Sequence, residues 1–424
     1  MCFSPFARSV CAPLLLLFFS AAPALAARGA DAPLTLPAAV RRGVASAPLV
    51  MARGDDVDAM REEADRAGRL PDPSLTLGLT NYPVTHPGAF SLRADPMTMR
   101  AVGITQAIPS QASRAAERRL ADANIEAATA DRVASVQSAQ VRIADAWIGV
   151  WAQRQQRTLL LALRDESVLA VDIAKGRLRG GDGSATDALA AQAERLTLDN
   201  RLDANDAALN AAQASLQRWL GDSVPPLAAA PDFAQLPLNP AVIERLVDRQ
   251  APMQVWRARE QVADAALAEA RAAKHPNWSV AVSYGYRAPG LSDMVMVEVG
   301  VSLPLFTRNR QDPDISAEHA AWRAVQAAHE DARRAQQEAV AGTVAAWQGW
   351  GRQIDRDRDT LLPLARDRTR TALAAYRGGG KLQPWLEARR DEIQLRLSYA
   401  DALAARAQQW AALAYLVPST EQTP

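Results

Sequence analysis

Cysteine is nearly missing from this chain of 424 residues, and the two present, Cys2 and Cys11, stand in its first dozen positions. They fall in a segment with Arg8 in a short polar lead, an apolar run from Leu14 to Ala22 and then Ala24-Leu25-Ala26, the pattern of a secretory signal cleaved before Ala27. The mature chain is thus expected to be free of cysteine, which excludes disulfides, thiolate metal sites and thiol catalysis. Cys11 precedes the apolar run, so it cannot carry a lipid at the cleavage point. Long apolar runs are scarce too: the leader's run is far shorter than the roughly 20 residues a spanning helix needs, and no later stretch spans either. Charge of one sign is not in excess, because losing residues 1–26 takes one Arg from 48 basic residues and nothing from 47 acidic ones. That balance gives no electrostatic basis for nucleic-acid binding. Histidine is rare, and His319 and His329 lie ten apart instead of at the three- or four-residue spacing of helical ligands, so both read as solvated surface. No Ser, His and Asp arrangement has a catalytic context, and the glycine-rich stretch 377–381 lacks the strand and the Ser or Thr of a phosphate loop. Neither an enzyme nor a bound cofactor is expected.

Aromatic residues make up only 5% of the chain while alanine is frequent, a composition suited to thin, closely packed helices. Four short stretches break the helical character with period-2 alternation. Trp278, Val280, Val282, Tyr284 and Tyr286 share one parity, against Ser279, Ala281, Ser283 and Gly285 on the other. Val295, Val297, Val299, Val301 and Leu303 are set likewise against Met294, Met296, Glu298, Gly300 and Ser302. The earlier pair runs from Pro73 to Tyr82, with Leu75, Leu77 and Leu79 in phase, and from Met97 to Ile108, with Val102 and Ile104 in phase. Four strands cannot close a membrane barrel, which begins at about eight, and an open edge in lipid leaves backbone groups unpaired. A barrel built from these strands has to be shared between chains. Arg100 shares the parity of Val102 and Ile104 and fits a lipid-facing side only above the apolar band, where its head can reach water.

The two pairs belong to two matching halves. Thr158-Leu159-Leu160 with Arg164-Asp165 answers Thr360-Leu361-Leu362 with Arg366-Asp367, and Arg179-Gly180-Gly181 answers Arg377-Gly378-Gly379. Each half reads as helix, strand, strand, long helix, turn and shorter helix. The resulting division is a signal peptide over 1–26; a first repeat over 27–220 with strands near 73–82 and 97–108 and helices over 110–219; a proline-rich linker over 221–239; a second repeat over 240–417 with strands near 277–287 and 294–305 and helices over 314–416; and a tail over 418–424. From Ser110 to Lys175 there is no proline, which as one helix reaches roughly 100 Å. Val141, Ala144, Ile148 and Trp151, and likewise Ile393, Leu397, Ala400, Ala404, Ala407 and Ala411, carry the alternating three and four spacing of coiled-coil seams. Pro363 lies inside the second long helix and is expected to bend it, making the repeats unequal.

The runs Leu70-Pro71-Asp72-Pro73-Ser74-Leu75, Val102-Gly103-Ile104-Thr105-Gln106-Ala107-Ile108-Pro109 and Val299-Gly300-Val301-Ser302-Leu303-Pro304-Leu305-Phe306, the last followed by Arg308-Asn309-Arg310, resemble the TolC-like outer-membrane factor family. They look most like its heavy-metal-efflux branch, the CzcC-like proteins, over essentially the whole mature chain. The resemblance implies a mainly α fold with a small membrane β-barrel contribution: a homotrimer with a twelve-stranded barrel and an α-helical periplasmic tunnel, docking a periplasmic adaptor and an inner-membrane pump of the RND type. It implies the outer membrane of a Gram-negative bacterium, with most of the mass in the periplasm. The tip falls at Gly180, Gly181 and Gly183 and at Gly378, Gly379 and Gly380. Asp187 matches a family position in a constricting ring, where threefold repetition gathers carboxylates; an Asp that stabilises a helix N-terminus reads equally well. Tyr376 matches an aromatic that ties neighbouring helices at the closed mouth. Trp385 stands where an acid is expected, which puts packing in place of part of a salt-bridge gate. Met97, Met99, Met294 and Met296, together with Glu298, face the lumen if the valines face lipid; they offer either inert filling or a soft-ligand path for Cu(I) or Ag(I). A duct for drugs or for type I secretion, and a soluble periplasmic adaptor, are the competing readings.

Overall fold

The structure, a computed structural model, describes residues 33–85 and 87–417; the signal segment, His86 and the tail lie outside them. Two short helices, α1 (Leu36–Ser46) and α2 (Pro48–Arg66), lead into strands β1 (Ser74–Thr80) and β2 (Met99–Ile108). Helix α3 (Gln111–Arg179) then runs 69 residues without interruption, and α4 (Ala185–Leu220) returns beside it. The second half repeats the plan with α5 (Pro240–Arg245), α6 (Ala251–Ala272), β3 (Trp278–Tyr286), β4 (Met294–Val301), α7 (Gln311–Arg356), α8 (Leu362–Arg377) and α9 (Gln383–Ala414). No described helix is long and apolar enough to cross a membrane.

The long helix starts where Ser110 caps it, its Oγ accepting from the Ser113 N–H at 3.0 Å, and at about 1.5 Å per residue it spans roughly 100 Å. It packs along its length against α2, α4, α6 and α9. Being covered from several sides, it buries a wider face than a two-helix seam. Ala144 and Ile148 of the expected seam are fully buried, and so are Ile143, Trp147 and Val150 beside them. In α9, Ile393, Leu397, Ala407 and Ala411 are buried, while Ala400 and Ala404 are half-buried.

The linker over 221–239 is a strap, not a loose joint. Phe233 sits between Trp151 of the first repeat at 5.4 Å and Trp410 of the second at 5.3 Å. The indole N–H groups of Trp347 and Trp410 donate to the carbonyls of Phe233 at 3.0 Å and Gln235 at 2.6 Å. Trp147 donates to Leu34 O at 3.0 Å, and Leu34 bridges Leu227, so the start of the described chain joins the same knot. The halves therefore share one core around this strap.

Pro363 breaks the second long helix as its chemistry requires, through a change of helix type. Residues Asp357–Leu361 form a single π turn between α7 and α8, with the Leu362 N–H donating to Asp357 O five residues back. Proline lacks an N–H and its ring crowds the carbonyl four residues earlier, so the widened turn accommodates it.

Candidate functional site

Two regions of this scaffold carry functional geometry: the sheet at one end and the pair of turns at the other. The sheet is antiparallel in the order β1-β2-β3-β4. Leu75, Leu77 and Leu79 oppose Ile104, Val102 and Arg100; Val102 and Ile104 oppose Tyr284 and Val282; Val282 and Tyr284 oppose Val297 and Val295. Directly opposed residues share a face, so the alternations read from the four separate stretches merge into one continuous apolar face. The other face carries Thr76, Gly78, Ala101, Gly103, Ser279, Ala281, Ser283, Glu298 and Gly300. No described segment covers the apolar side, where Leu75 is 65% and Val297 68% exposed. An apolar surface of this extent is unusual on a soluble chain. The outer edges of β1 and β4 are also unpaired.

Arg100 lies at the loop end of β2, opposite Leu79 and Tyr286, so the charge sits at the margin of the apolar face. The connecting loops at that margin are tied together, with Arg287 Nε donating to Pro96 O at 2.9 Å. At the opposite margin Ser110 N donates to Asn277 Oδ1 at 2.8 Å, and Lys274 pairs with Asp312 at 2.6 Å, fixing the sheet to its helices.

The methionines do not form the matched set of four that parity predicts. Met97 precedes β2 and is 54% exposed in the loop. Met99 is buried over Gly285, where an added Cβ would lie 2.9 Å from its Sδ, so this thioether fills a hollow left by glycine. Met294, opposite Gly285, and Met296, opposite Ser283, lie on the small-residue face with Glu298. Among the described residues no group of three or more His, Cys, Asp or Glu side chains could hold a metal ion. His329 corrects its surface reading: it is half-buried, its Nδ1 lies 2.8 Å from Glu260 Oε1, and its ring stacks on Trp256 at 6.4 Å.

At the far end the duplicated turns have the same hydrogen bonds. Asp182 N donates to Arg177 O at 3.0 Å and Gly380 N to Ala375 O at 3.0 Å; Gly181 N reaches Leu178 O and Gly379 N reaches Tyr376 O, both at 3.2 Å. Gly181 at φ +82° and Gly379 at φ +96° occupy the left-handed region that ends a helix cheaply only for glycine. Gly180 and Gly378 cap α3 and α8. Gly183 and Gly380 admit no Cβ without contacts at 2.9 Å and 2.8 Å to backbone.

The helices leaving the two turns differ. In α4, Ser184 Oγ accepts from the Asp187 N–H at 3.0 Å, which puts the half-buried Asp187 carboxylate in the first turn against the helix dipole. In α9 no side chain caps the start; instead Trp385 is buried and stacks on Tyr376 at 5.8 Å with rings 12° apart. Arg177 lies over the Tyr376 ring at 4.4 Å and donates to Tyr376 O at 2.7 Å, so the aromatic pair ties α8 to both α9 and α3 within the chain.

Just above this cluster lies a charged layer that sequence reasoning missed. Arg389 is buried, with Nε 3.5 Å from Glu194 Oε1 and Nη2 3.9 Å from Glu166 Oε2, and Arg396 joins Glu166 at 3.3 Å and Glu392 at 2.5 Å. Burial pushes the Glu194 carboxyl up, against the opposing pull of Arg389 and Arg390. The signal was available: Arg389 extends the Ile393 and Leu397 spacing by one more step of four, which puts a charge in the seam.

No family model and no curated protein matches the chain. Solved structures do. A membrane protein from Pseudomonas aeruginosa superposes with a TM-score of 0.79 at 18% identity, over 92% of this chain and 91% of that one. VceC, an outer membrane protein of Vibrio cholerae, gives 0.74 at 16% identity, over 90% and 95%. CusC, described in terms of transmembrane channel formation, gives 0.73 at 16% identity, over 91% and 92%. The chain therefore has the fold of TolC-like outer-membrane channels, mainly helical with a small antiparallel sheet.

Proposed function

We propose that this chain is the passive outer-membrane exit duct of a tripartite efflux complex. Three copies complete a twelve-stranded barrel through the free edges of β1 and β4, with the apolar face toward lipid and the small-residue face lining a water-filled lumen. The long helices continue the path through the periplasm to the glycine turns, where an adaptor links the duct to an inner-membrane pump. The chain supplies no catalysis and needs no cofactor. One observation carries this reading: a sheet that is open at both edges, apolar on one face and polar on the other, stands at one end of helices about 100 Å long. A soluble adaptor would need β-rich domains flanking a single hairpin, whereas this fold has two long helical hairpins and one sheet.

For the cargo we infer heavy-metal cations, on the resemblance to the CzcC-like branch and on Met294, Met296 and Glu298 of the inner face. Growth of a deletion strain on cobalt, zinc, cadmium and copper is compared with growth on dyes and detergents. Sensitivity confined to metals supports the inference; unchanged metal tolerance with dye sensitivity transfers the duct to drug export. Recovery of the native protein in the soluble periplasm, instead of the outer-membrane fraction, would remove the duct reading itself.

A further inference from the structure

A groove of about 250 Å³ lies where α2 packs on α3, roughly 30–45 Å along the long helix from its sheet end. Asp131, Ser135, Ser138 and Arg142 of α3 line it, and their spacings of four, three and four put them on one face of the helix. Leu49 and the half-buried indole of Trp219 give it apolar surface, and Arg53 completes its polar lining. None of the four α3 side chains has a hydrogen-bond or ion-pair partner in the chain. For the two hydroxyls this is a departure. Thr129, Thr158 and Thr197, also inside long helices, each donate to the carbonyl four residues back at 2.8 to 3.0 Å, whereas Ser135 and Ser138 are left to bond outward. One step of three beyond Arg142, Asp145 continues the row, with its Oδ1 buried and unpaired.

The charges of the groove select against an ion. Arg53 is held by Asp56 at 3.0 Å, which leaves Arg142 as the free cation among the lining residues and Asp131 as the free acid. Next outward, Arg218 over the Trp219 ring at 5.2 Å is matched in sign by Asp145. A charged ligand of either sign would meet one like charge for each unlike one. A neutral ligand that both donates and accepts is served by all four α3 groups. It must also present an apolar face to Trp219 and Leu49. A sugar ring has both, with hydroxyls at its rim and C–H groups on its faces.

We propose that this groove is a binding site for a neutral pyranose sugar. Trp219 and Leu49 take the C–H face of the ring, Asp131 accepts from its hydroxyls, Arg142 donates to them, and Ser135 and Ser138 do both. The pyranose arrives either free or as one residue of a cell-wall glycan. The site is separate from the sheet and from the glycine turns, so it stands or falls independently of the duct reading.

The test uses the full-length protein in an amine-oxide detergent, which carries no sugar headgroup. Saturation-transfer NMR is run with N-acetylglucosamine and its linear trimer as neutral probes, and with glucosamine and glucuronate as charged ones. The neutral sugars are expected to bind more tightly than either charged sugar. Ser138→Ala combined with Arg142→Gln, both at exposed positions, should weaken that binding by roughly tenfold or more, and Trp219→Leu should do the same. An unchanged thermal midpoint confirms that the double variant folds. Retention of the wild type on isolated cell-wall sacculi, lost in the double variant, supports the site with the glycan as its source. Binding of N-acetylglucosamine without such retention supports it with free sugar as the source. No transfer to either neutral sugar, a charged sugar binding as tightly as the neutral ones, or binding unchanged in the double variant overturns the proposal and leaves the duct intact.

Discussion

The two repeats build the same hairpin by different means. In the first, α3 runs without a break and the return helix starts with a polar cap, Ser184 over Asp187. In the second, a π turn at Asp357–Leu361 splits the long helix and the return helix starts without a side-chain cap, on the buried Trp385. The turns between them match bond for bond. Duplication has thus kept the backbone geometry that reverses the chain, while the means of holding the helices have diverged. The long helix of the first repeat is unbroken, while that of the second carries a π turn and has its far end held by aromatic stacking. If the tip moves, α8 is the element built to move, because it packs chiefly on α9 and its connection to α7 is the π turn.

The largest expected effect breaks the second repeat's anchor. Trp385→Ala should loosen the tip by about 3–5 kcal/mol through the cavity left against Tyr376 and Leu386. Hydrogen exchange of α8 amides should quicken by at least a hundredfold, with the middle of α3 unchanged. Ser184→Ala, the matching change in the first repeat, should cost only about 1 kcal/mol and stay local to α4. Equal effects would refute the division of labour between the repeats.

Next comes the charged layer. Arg389→Ala should cost about 3 kcal/mol, since it leaves Glu194 buried without its partner, and Arg389→Met with Glu194→Met should recover most of that loss. Thermal unfolding of the detergent-solubilised protein reads both variants. Pro363→Ala ranks lower: the π turn should close to ordinary α geometry, stabilising the helix by about 1 kcal/mol and slowing exchange over Asp357–Leu362 by roughly tenfold. Unchanged exchange there would show that the π turn has a cause other than proline.

Last comes Asp145 in the unbroken helix, whose carboxyl burial raises to about 6. A raised carboxyl pKa means that the folded state holds the proton more tightly. The charged form therefore destabilises the fold at neutral pH, and stability rises as pH falls from about 6 towards 4. Asp145→Asn should stabilise by roughly 1 kcal/mol at pH 7, given its partial exposure to screening solvent, and by nothing near pH 4. Parallel pH profiles for the variant and wild type would refute this cause.

Much of the architecture was legible because it rests on periodicity and on chain breakers. Period-2 runs marked the four strands, and their parity foretold the two faces that the register then joined. Gly181 and Gly379 marked the turns, because positive φ leaves few alternatives to glycine. What stayed hidden depends on which elements meet in space. Nothing local to Met99 says that Gly285 lies beneath it, and nothing local to Phe233 says that tryptophans from both repeats enclose it. His329 read as surface because its partners, Glu260 and Trp256, are some seventy residues away in sequence on another helix. Pro363 marked a bend in the second long helix, but that the irregularity takes the form of a π turn follows from backbone accommodation and not from residue type.

In the duct proposed above, one chain supplies only part of a barrel and self-association closes it. Native mass spectrometry of the protein extracted from outer membranes in mild detergent tests it most directly, paired with conductance in a planar bilayer. The expected result is a three-chain species that opens a water-filled pore. A single-chain species that stays soluble and monodisperse without detergent, and conducts nothing, would contradict it.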